Sequence, residues 1–261
     1  MNDTGDITDV SEANAARIYD HFLGGAHNFA ADRAVAAVLL ERHPDVAEIA
    51  RANRDFLGET VRWCLAHGIR QFLDLGSGIP TVGNVHEIVG PDCRVAYVDA
   101  EPVAVAYARD ILVDVGHATV THADLCDVDA VLAAPGVRTL LDLAEPIAVL
   151  AVAVLHSVPE DPRRVVDAYR AHLAPGSAIV ISHGSDDQDD PVVAARIRDI
   201  RDAMAGSASP LTPRSRVEIR DVLHDLDPVA PGLVDVADWP APGRRPRSGI
   251  YGLVALLPPV E

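Results

Sequence analysis

The sequence contains no lysine, so all 22 of its basic residues are arginines. This absence excludes a Schiff-base lysine for pyridoxal phosphate and the phosphate-binding lysine of a Walker loop. The 39 acidic residues leave a formal net charge of −17. Because an acidic surface repels phosphate backbones, we expect no nucleic-acid partner.

Cysteine is also scarce, and Cys64, Cys93 and Cys126 lie far apart with no CxxC pair among them. Isolated cysteines are typical of reduced thiols in the cytoplasm. The opening residues MNDTGDITDV are acidic and lack the apolar segment of a signal peptide. No apolar run approaches the ~20 residues of a membrane-spanning helix. The sequence therefore predicts a cytoplasmic protein with no membrane partner. It is compatible with a homodimer.

The chain offers no recognisable metal-binding pattern. Its histidines form no HxxxH pair, and HGSDDQDDP does not follow the spacing of a calcium-binding EF-hand loop. We therefore expect no metal cofactor.

The first 68 residues have the pattern of three helices. Ser11 is a candidate N-cap for the first helix, which Gly24 and Gly25 interrupt. Gly68 is a candidate C-cap for the third helix. The predicted helices span 11–23, 30–42 and 46–67, and we expect residues 1–68 to form a helical cap on a core of residues 69–261, within one structural domain overall.

From Ile69 onward, short apolar runs alternate with helical segments, which indicates a parallel sheet covered on both faces. Two late runs, GLVDVADW and IYGLVALLP, have no helix between them and predict an antiparallel hairpin at the end of the sheet. The predicted architecture is a doubly wound α/β sheet of seven mostly parallel strands. The other predicted strands are QFLDLG, RVAYVDA, ATVTHAD, PIAVLAVAVL and SAIVISH, with intervening helices that include 102–115 and 161–173.

The segment FLDLGSGIPT places glycines where the first strand ends. Gly76 and Gly78 allow a tight turn and a close approach of the backbone to a ligand. Asp99 ends the second strand, 21 residues after Gly78, where a carboxylate can accept both hydroxyls of a ribose. Asp124 comes at the end of the third strand. Together these residues indicate a site for a nucleoside-containing ligand.

The identity of that ligand depends on two residues. Thr81 occupies the third glycine position of the dinucleotide fingerprint G-x-G-x-x-G. Asp74 precedes the glycines and suits a ligand that carries an amine rather than a pyrophosphate. We therefore expect S-adenosylmethionine, which has an ammonium, a ribose and an adenine, with a nicotinamide dinucleotide as the alternative.

These features resemble class I S-adenosylmethionine-dependent methyltransferases. The segments ARIYDHFLGGAHNFAADR and FLDLGSGIPTVGNVHEI resemble more specifically the actinobacterial S-adenosyl methyltransferase family, formerly a domain of unknown function. YVDAEPVAVAYAR, LHSVPED and PGLVDVADWPAP extend this resemblance over nearly the whole chain. It implies the cofactor but no particular methyl acceptor.

The resemblance implies roles for the residues after the first strand. Gly76 and Gly78 would line the methionine and ribose portions of the cofactor, with Ser77 between them in the same loop. Asp74 would lie near the ammonium group.

The resemblance also implies roles for the residues after the second and third strands. Asp99 would bind the ribose hydroxyls, although Glu101 stands two residues later and is the alternative ligand. Ala100 and Glu101 would flank the adenine. Asp124 would accept the adenine amine, and Leu125 would offer its backbone amide.

The aromatic residues of YDHFLGGAHNF suggest a lid over the cofactor. Tyr19, Phe22 and Phe29 belong to a chain with only 4% aromatic residues, and an aromatic face favours a positive sulfonium. With Asn28, they are predicted to line the acceptor pocket and to exclude water. In the alternative interpretation they fill a core between two helices, and Asn28 caps the second helix.

Methyl transfer depends above all on alignment, and it needs a base only when the acceptor is protonated. His156, at the end of the fourth strand, and Tyr19 are the candidate catalytic groups. His183 ends the fifth strand and is a second candidate for the pocket. Histidine titrates near neutral pH, so either ring is a candidate base. The alternative is a structural histidine held by hydrogen bonds at the sheet edge.

We therefore expect an S-adenosylmethionine-dependent methyltransferase that acts on a small-molecule acceptor. One alternative is a protein that binds S-adenosylmethionine or its demethylated product without turnover. The other is an NAD-dependent oxidoreductase, which Thr81 and Asp74 disfavour.

Overall fold

Seven strands form one sheet in the order β3-β2-β1-β4-β5-β7-β6 in the computed structural model, which describes residues 10–243 and 246–258. Neighbouring strands are parallel, except that β7 runs antiparallel to both β5 and β6. The predicted doubly wound sheet with its terminal hairpin is confirmed. The strands are β1 (Gln71–Leu75), β2 (Arg94–Asp99), β3 (Ala118–His122), β4 (Ile147–Val152), β5 (Ala178–Gly184), β6 (Val234–Asp235) and β7 (Ile250–Leu256).

The strand order reverses between β1 and β4, which lie side by side at the centre of the sheet. In such sheets ligands bind outside the carboxyl ends of the strands at this switch point. The loops that follow β1, β2, β3 and β4 therefore meet at one edge. That edge is where the sequence places the glycine loop and the acidic residues.

Ten α-helices lie within the described residues, and most of them connect consecutive strands as crossovers. They are α1 (Ala15–Phe22), α2 (Ala30–Arg42), α3 (Val46–Ala66), α4 (Val85–Val89), α5 (Pro102–Ile111), α6 (Val128–Ala133), α7 (Pro135–Leu140), α8 (Pro162–Arg170), α9 (Pro191–Met204) and α10 (Arg216–Asp221).

The first helix begins later than the sequence pattern suggests. Asn14, and not Ser11, is the N-cap of α1, and its side-chain oxygen accepts a hydrogen bond from the N–H of Ala16 at 2.8 Å. Both residues are good N-caps. Asn14 has the additional advantage that its side-chain amide donates to Glu101, at 2.9 Å, so that it joins the cap to the sheet edge.

Other predicted elements are shorter in the structure. Helix α5 ends at Ile111 rather than at 115, and α8 ends at Arg170 rather than at 173. Strand β6 stops at Asp235 because the carboxylate of Asp235 accepts the N–H of Ala237 at 2.9 Å, which turns the chain into a short 3-10 helix.

Helix α3 packs against the sheet as well as against the other N-terminal helices. Phe56 and Val61 of α3 belong to the same buried hydrophobic cluster as Phe72 of β1 and Val180 of β5. The ring of Phe56 also meets Trp239 edge-on, with centroids 5.8 Å apart. The hydrophobic cluster is thus continuous across residue 68, and the division of the chain at that residue remains a prediction.

Arg17 of α1 ties the helical cap to the end of β2. Its side chain is 2% exposed, and its guanidinium donates to Asp32 at 2.9 Å and to Glu101 at 2.6 Å. The carboxylate of Asp32 also accepts the N–H of Asn14 at 2.9 Å and of Phe29 at 2.8 Å. A buried cation with two carboxylate partners fixes the position of α1 on the sheet edge.

Asp20 makes a second connection between the cap and the sheet. Its carboxylate accepts hydrogen bonds from the hydroxyl of Thr81 at 2.6 Å and from the side-chain amide of Asn28 at 2.9 Å. Gly25 lies so close that an added Cβ would be 1.9 Å from the Asp20 carboxylate. The double glycine therefore lets the chain fold back over Asp20, and α1 is held to the loops after both β1 and β2.

No helix within the described ranges has the length and apolar character needed to cross a membrane. The first nine residues, on which most of the signal-peptide expectation rests, lie outside those ranges. The cytoplasmic location stays a prediction.

Replacing Arg17 with methionine should lower the free energy of unfolding by about 3–5 kcal/mol, because it leaves two carboxylates without their buried cation. The matched control is Arg51→Met, which breaks an exposed ion pair with Glu48 on α3 and should cost less than about 1 kcal/mol. Urea unfolding of the two variants measures the difference. Equal losses would show that the Arg17 cluster does not hold the cap in place.

Candidate active site

A cavity of about 630 Å³ lies at the carboxyl edge of the sheet, beneath the helical cap. Its volume is in the range of pockets that hold small molecules, roughly 300–1,000 Å³. The loops after β1, β2, β3 and β4 line one part of the cavity, and helices α1, α2, α3 and α9 line the other.

The glycine loop forms the floor of the first part. The N–H groups of Gly76 and Ser77 donate to the carbonyl of Val98 at 2.8 and 3.2 Å, which holds the loop against β2. Gly76 has φ 64°, and a Cβ there would lie 2.2 Å from Val154. Gly78 has φ 67°. Both conformations favour glycine, and the turn brings backbone to the cavity wall without side chains in the way.

Asp99 and Glu101 both line the cavity, but they are held by different partners. The carboxylate of Asp99 accepts the N–H of Gly78 at 2.6 Å and the N–H of Glu101 at 2.8 Å. The carboxylate of Glu101 is bound by Arg17 and Asn14 of the cap. Asp99 therefore orders the glycine loop, whereas Glu101 joins this part of the site to α1.

Asp74, at the end of β1, is a buried carboxylate that faces the cavity. No hydrogen-bond partner for it occurs within residues 10–243 and 246–258. Its pKa is raised from 3.8 to about 7, chiefly by burial, with Arg54 acting to lower it and the nearby Asp99 to raise it. Binding of a cation next to such a buried carboxylate is strongly favourable.

Arg54 of α3 lines the same region of the cavity. Its Nε is buried without a hydrogen-bond partner among the described residues. Its guanidinium carbon lies 5.8 Å from the centre of the Tyr19 ring. Arg54 and Asp74 thus place opposite charges at one end of the cavity, although no ion pair within 4.0 Å joins them in the described part of the chain.

The loop after β3 completes this first part. Asp124 and Leu125 line the cavity, as does Ala100 from the loop after β2. Asp124 is exposed and its carboxylate accepts the N–H of Cys126 at 2.9 Å. The carbonyl of Leu125 accepts the hydroxyl of Tyr169 at 2.7 Å, which fixes this loop against α8.

A chain of hydrogen bonds runs from the end of β4 to the cap. Ala153, which lines the cavity at the strained φ of 57°, donates its N–H to the hydroxyl of Ser182 at 2.8 Å. That hydroxyl donates to Asn53 at 2.7 Å, and the Asn53 amide donates to the Tyr19 hydroxyl at 3.1 Å. The Tyr19 hydroxyl donates to the carbonyl of Ala50 at 2.8 Å. Every polar group in this series of hydrogen bonds has a partner, which fixes both the loop after β4 and the cap.

Tyr19 lines the cavity, but its hydroxyl proton already has an acceptor. Burial raises its pKa above the ordinary value of 10.0. At neutral pH, Tyr19 is therefore a protonated group that positions the cavity wall.

His156 lines the cavity after β4, and its Nδ1 accepts the N–H of Gly184 at 3.3 Å. A neutral imidazole has one donor and one acceptor nitrogen, so Nε2 carries the proton. Burial, the neighbouring His183 and the charge of Arg214 lower the pKa of His156 to about 3. At neutral pH the ring is an uncharged hydrogen-bond donor, a geometry that does not favour a role as base.

His183 lies outside the cavity wall, contrary to its expected place in the pocket. It is fully buried, its Nδ1–H donates to the carbonyl of Gly184 at 2.8 Å and its Nε2 accepts from Arg214 at 2.9 Å. Burial lowers its pKa to about 4. Its ring packs edge-on against His156, with centroids 5.4 Å apart.

The four residues expected in a lid divide into two pairs. Tyr19 and Phe22 line the cavity. Asn28 and Phe29 do not, because Asn28 binds the Asp20 carboxylate and Phe29 packs beneath the guanidinium of Arg17 at 5.6 Å. Phe29, and not Asn28, is the N-cap residue of α2. Asn28 and Phe29 therefore make contacts that hold α1 in place, and α1 positions Tyr19 and Phe22 on the cavity wall.

The second part of the cavity is mostly apolar, although Tyr19 of α1 and Asn53 and Arg54 of α3 also reach the wall. From α1, α2 and α3 it receives Ile18, Phe22, Leu39, Val46, Ile49 and Leu57. Helix α9 and the segment after it contribute Ile197, Ile200, Met204 and Leu211. We call this part the apolar chamber.

Residues 2–255 match the S-adenosyl methyltransferase family. The chain belongs to this family. The family expected from the sequence is thus confirmed, and so is S-adenosylmethionine as its cofactor. No protein of curated function matches the chain significantly.

Solved structures of similar proteins agree with this assignment. A candidate methyltransferase from Thermobifida fusca YX is 34% identical, with a TM-score of 0.88 over 96% of this chain and 97% of that chain. A DUF574 family protein from Streptomyces avermitilis is 31% identical, with a TM-score of 0.87 over 96% of this chain and all of the other. Magnesium protoporphyrin IX methyltransferase from Synechocystis, solved with bound S-adenosylhomocysteine, is 14% identical with a TM-score of 0.55 over 96% of this chain and 98% of that chain, and it shares the fold.

The residues at the strand edge fit this cofactor. The unpartnered, buried Asp74 carboxylate suits an ammonium, and the Arg54 guanidinium, whose Nε has no hydrogen-bond partner among the described residues, suits a carboxylate. Gly76 and Gly78 leave backbone open to the cavity. In contrast, the described residues contain no group of three or more His, Cys, Asp or Glu that is arranged to hold a metal ion.

Several important residues gave little signal in the sequence. Arg54 and Asn53 lie on the long helix α3, in the unremarkable stretch RANRDF. Arg17 and Asp20 lie inside the distinctive segment ARIYDHF, but only the fold shows what they bind. The only indication of a role for Arg54 in the sequence is its charge, because many of its neighbours on α3 are apolar residues that become buried.

Replacing Asp74 with asparagine should make the ligand-free protein more stable above pH 7. A carboxyl whose pKa rises from 3.8 to about 7 on folding costs stability wherever the unfolded state ionises more readily than the folded state, by up to about 4 kcal/mol. The cost is absent below pH 4, grows between pH 4 and 7 and then stays constant. The variant's advantage in urea unfolding should follow that course, whereas Asp114→Asn, at an exposed position, should show none. A destabilised variant at pH 8 would contradict the assignment.

Proposed function

We propose that this protein transfers the methyl group of S-adenosylmethionine to a small-molecule acceptor. The observation that carries the proposal is that one cavity combines the cofactor edge of the sheet with the apolar chamber. S-adenosylmethionine supplies a methyl group activated by a positively charged sulfur. Aligning that group with a bound acceptor is the main task of such a site, and the enclosing cap limits access to acceptors of small size.

We assign the amino acid end of the cofactor to Asp74 and Arg54. Asp74 would accept hydrogen bonds from the ammonium, and Arg54 would donate to the carboxylate. Asp74 is buried and Arg54 is half-buried on the cavity wall, and neither satisfies the other directly, so a zwitterion compensates both.

We assign the adenosine to the next loops along the edge. Asp99 would accept the ribose hydroxyls while it continues to hold the glycine loop, and Glu101 remains the alternative. Ala100 would flank the adenine, whose amine would donate to Asp124, with the backbone amide of Leu125 nearby. His156 would act as a hydrogen-bond donor, and Tyr19 as a positioning residue.

The alternatives are less compatible with these features. A dinucleotide would bring its pyrophosphate to the loop beside the buried Asp74 carboxylate, where two anions would repel each other. A protein that only senses the cofactor has no need for an apolar chamber joined to the cofactor edge. The cytoplasmic location and the homodimer remain predictions from the sequence, and the site requires neither.

In calorimetric titrations, S-adenosylmethionine and its demethylated product should bind, and NAD should not. Asp74 must lose a proton to bind the ammonium, so the affinity for S-adenosylmethionine should fall about tenfold per unit as the pH drops below 7. The affinity of Asp74→Asn should be weaker and independent of pH in this range. Asp99→Ala should also lose affinity. Tight binding of NAD would overturn the proposal, and so would a failure of all three ligands to bind.

Arg54→Gln should weaken binding of S-adenosylmethionine about ten- to hundredfold, the value of a charge-assisted hydrogen bond. Decarboxylated S-adenosylmethionine should bind the wild type and Arg54→Gln equally, because it lacks the group that Arg54 would hold. Arg51→Gln, on the exposed face of the same helix, is the matched control and should bind normally. An equal loss of affinity for both ligands would show that Arg54 acts on the fold rather than on the carboxylate.

A further inference from the structure

The apolar chamber lacks carboxylates. All acidic side chains that line the cavity, Asp74, Asp99, Glu101 and Asp124, come from the strand ends. Helices α1, α2, α3 and α9 contribute none to the wall within the described residues. Whatever occupies the chamber therefore buries apolar surface and meets no counter-charge for a cation.

Tyr19 and His156, which also line the cavity, are not bases. The Tyr19 hydroxyl gives its proton to the Ala50 carbonyl. His156 lines the cavity and accepts the N–H of Gly184 at Nδ1, so its ring proton lies on Nε2. Apart from the acidic residues at the strand ends, the described wall thus offers a hydrogen-bond donor to an acceptor and no group that would remove its proton.

These features discriminate among nucleophiles. A neutral hydroxyl has to lose its proton, and no base is at hand. An amine would take over the positive charge of the sulfonium and keep it on the product, so no charge is neutralised and the chamber offers no carboxylate to stabilise it. An oxyanion needs no base, and its negative charge is attracted to the sulfonium and to a donor N–H.

We propose that the methyl acceptor is a predominantly apolar organic acid, whose hydrophobic body fills the chamber and whose oxyanion receives the methyl group beside His156. This inference rests on the proposed function and adds the substrate class to it.

The step balances without a further reactant. A lone pair of the oxyanion forms the O–CH₃ bond as the C–S bond breaks, and the electron pair of that bond stays on sulfur as a neutral thioether. One negative and one positive charge disappear, and no proton is released. Low polarity of the surroundings favours a step that consumes opposite charges.

A pair of probes with the same skeleton tests the charge. In the presence of S-adenosylmethionine, 1-naphthoate should bind at least about tenfold more tightly than 1-naphthylmethylamine, which is a cation at neutral pH. With the demethylated product in place of S-adenosylmethionine, the preference should shrink, because the sulfonium charge is gone. Titration calorimetry gives both affinities, and extraction of radiolabelled methyl ester gives turnover.

Variants test the place of binding. Ala50→Leu on α3 and Ile200→Phe on α9 narrow the chamber from two helices and should each weaken naphthoate at least about tenfold while cofactor affinity is kept. Ala66→Leu, at an exposed position on α3, is the control and should change neither. Normal cofactor binding by each variant shows that it is folded. If one variant does not fold, the other still tests the place of binding.

Tighter binding of the amine, equal binding of the two probes, or naphthoate affinity unchanged in both chamber variants would overturn the inference and leave the proposed function standing. Failure of the wild type to bind S-adenosylmethionine would instead overturn the proposed function itself.

Discussion

The cap keeps its place because Arg17 is buried between two carboxylates. Removing a guanidinium from water is costly, and that cost is offset only while Asp32 and Glu101 both remain in position. Asp32 belongs to the cap and Glu101 to the loop after β2, so the contact joins parts of the chain that are 84 residues apart. With α1 fixed in this way, Tyr19 and Phe22 close over the sheet edge. Together with the contacts of Asp20, this interaction holds the cap over the cavity.

The parallel sheet accounts for the uneven distribution of charge in the cavity. Carboxyl ends of neighbouring strands converge at one edge, so the acids that follow β1, β2 and β3 lie together on one wall. Their crowding and burial raise the pKa of Asp74 and of Asp99. The helices that form the rest of the wall face the hydrophobic core with their apolar sides and add little charge. A polar half and an apolar half therefore follow from the fold itself.

The sequence predicted well what depends on local pattern. Continuous apolar strands and the glycines after β1 led to the sheet, its terminal hairpin and the cofactor. Contacts between distant segments were beyond its reach, since nothing near Arg54 in the chain indicates that it lies beside Asp74. His183 shows the same limit, because a histidine at a strand end faces either the cavity or Arg214, and only packing decides. Asn14 and Ser11 are equally good N-caps, and the contact with Glu101 favours Asn14.

The two halves of the cavity are built from different elements, and this has a consequence for redesign. Leu39 on α2 and Ile200 on α9 line the chamber, yet neither belongs to the loops that we assign to the cofactor. An engineer could therefore resize the chamber for a new acceptor and leave the glycine loop untouched. The constraint on such work is the hydrogen-bond chain through Ser182, Asn53 and Tyr19, which passes from the strand end to the cap. Substitutions that spare this chain are the ones that would alter specificity without loosening the closed site.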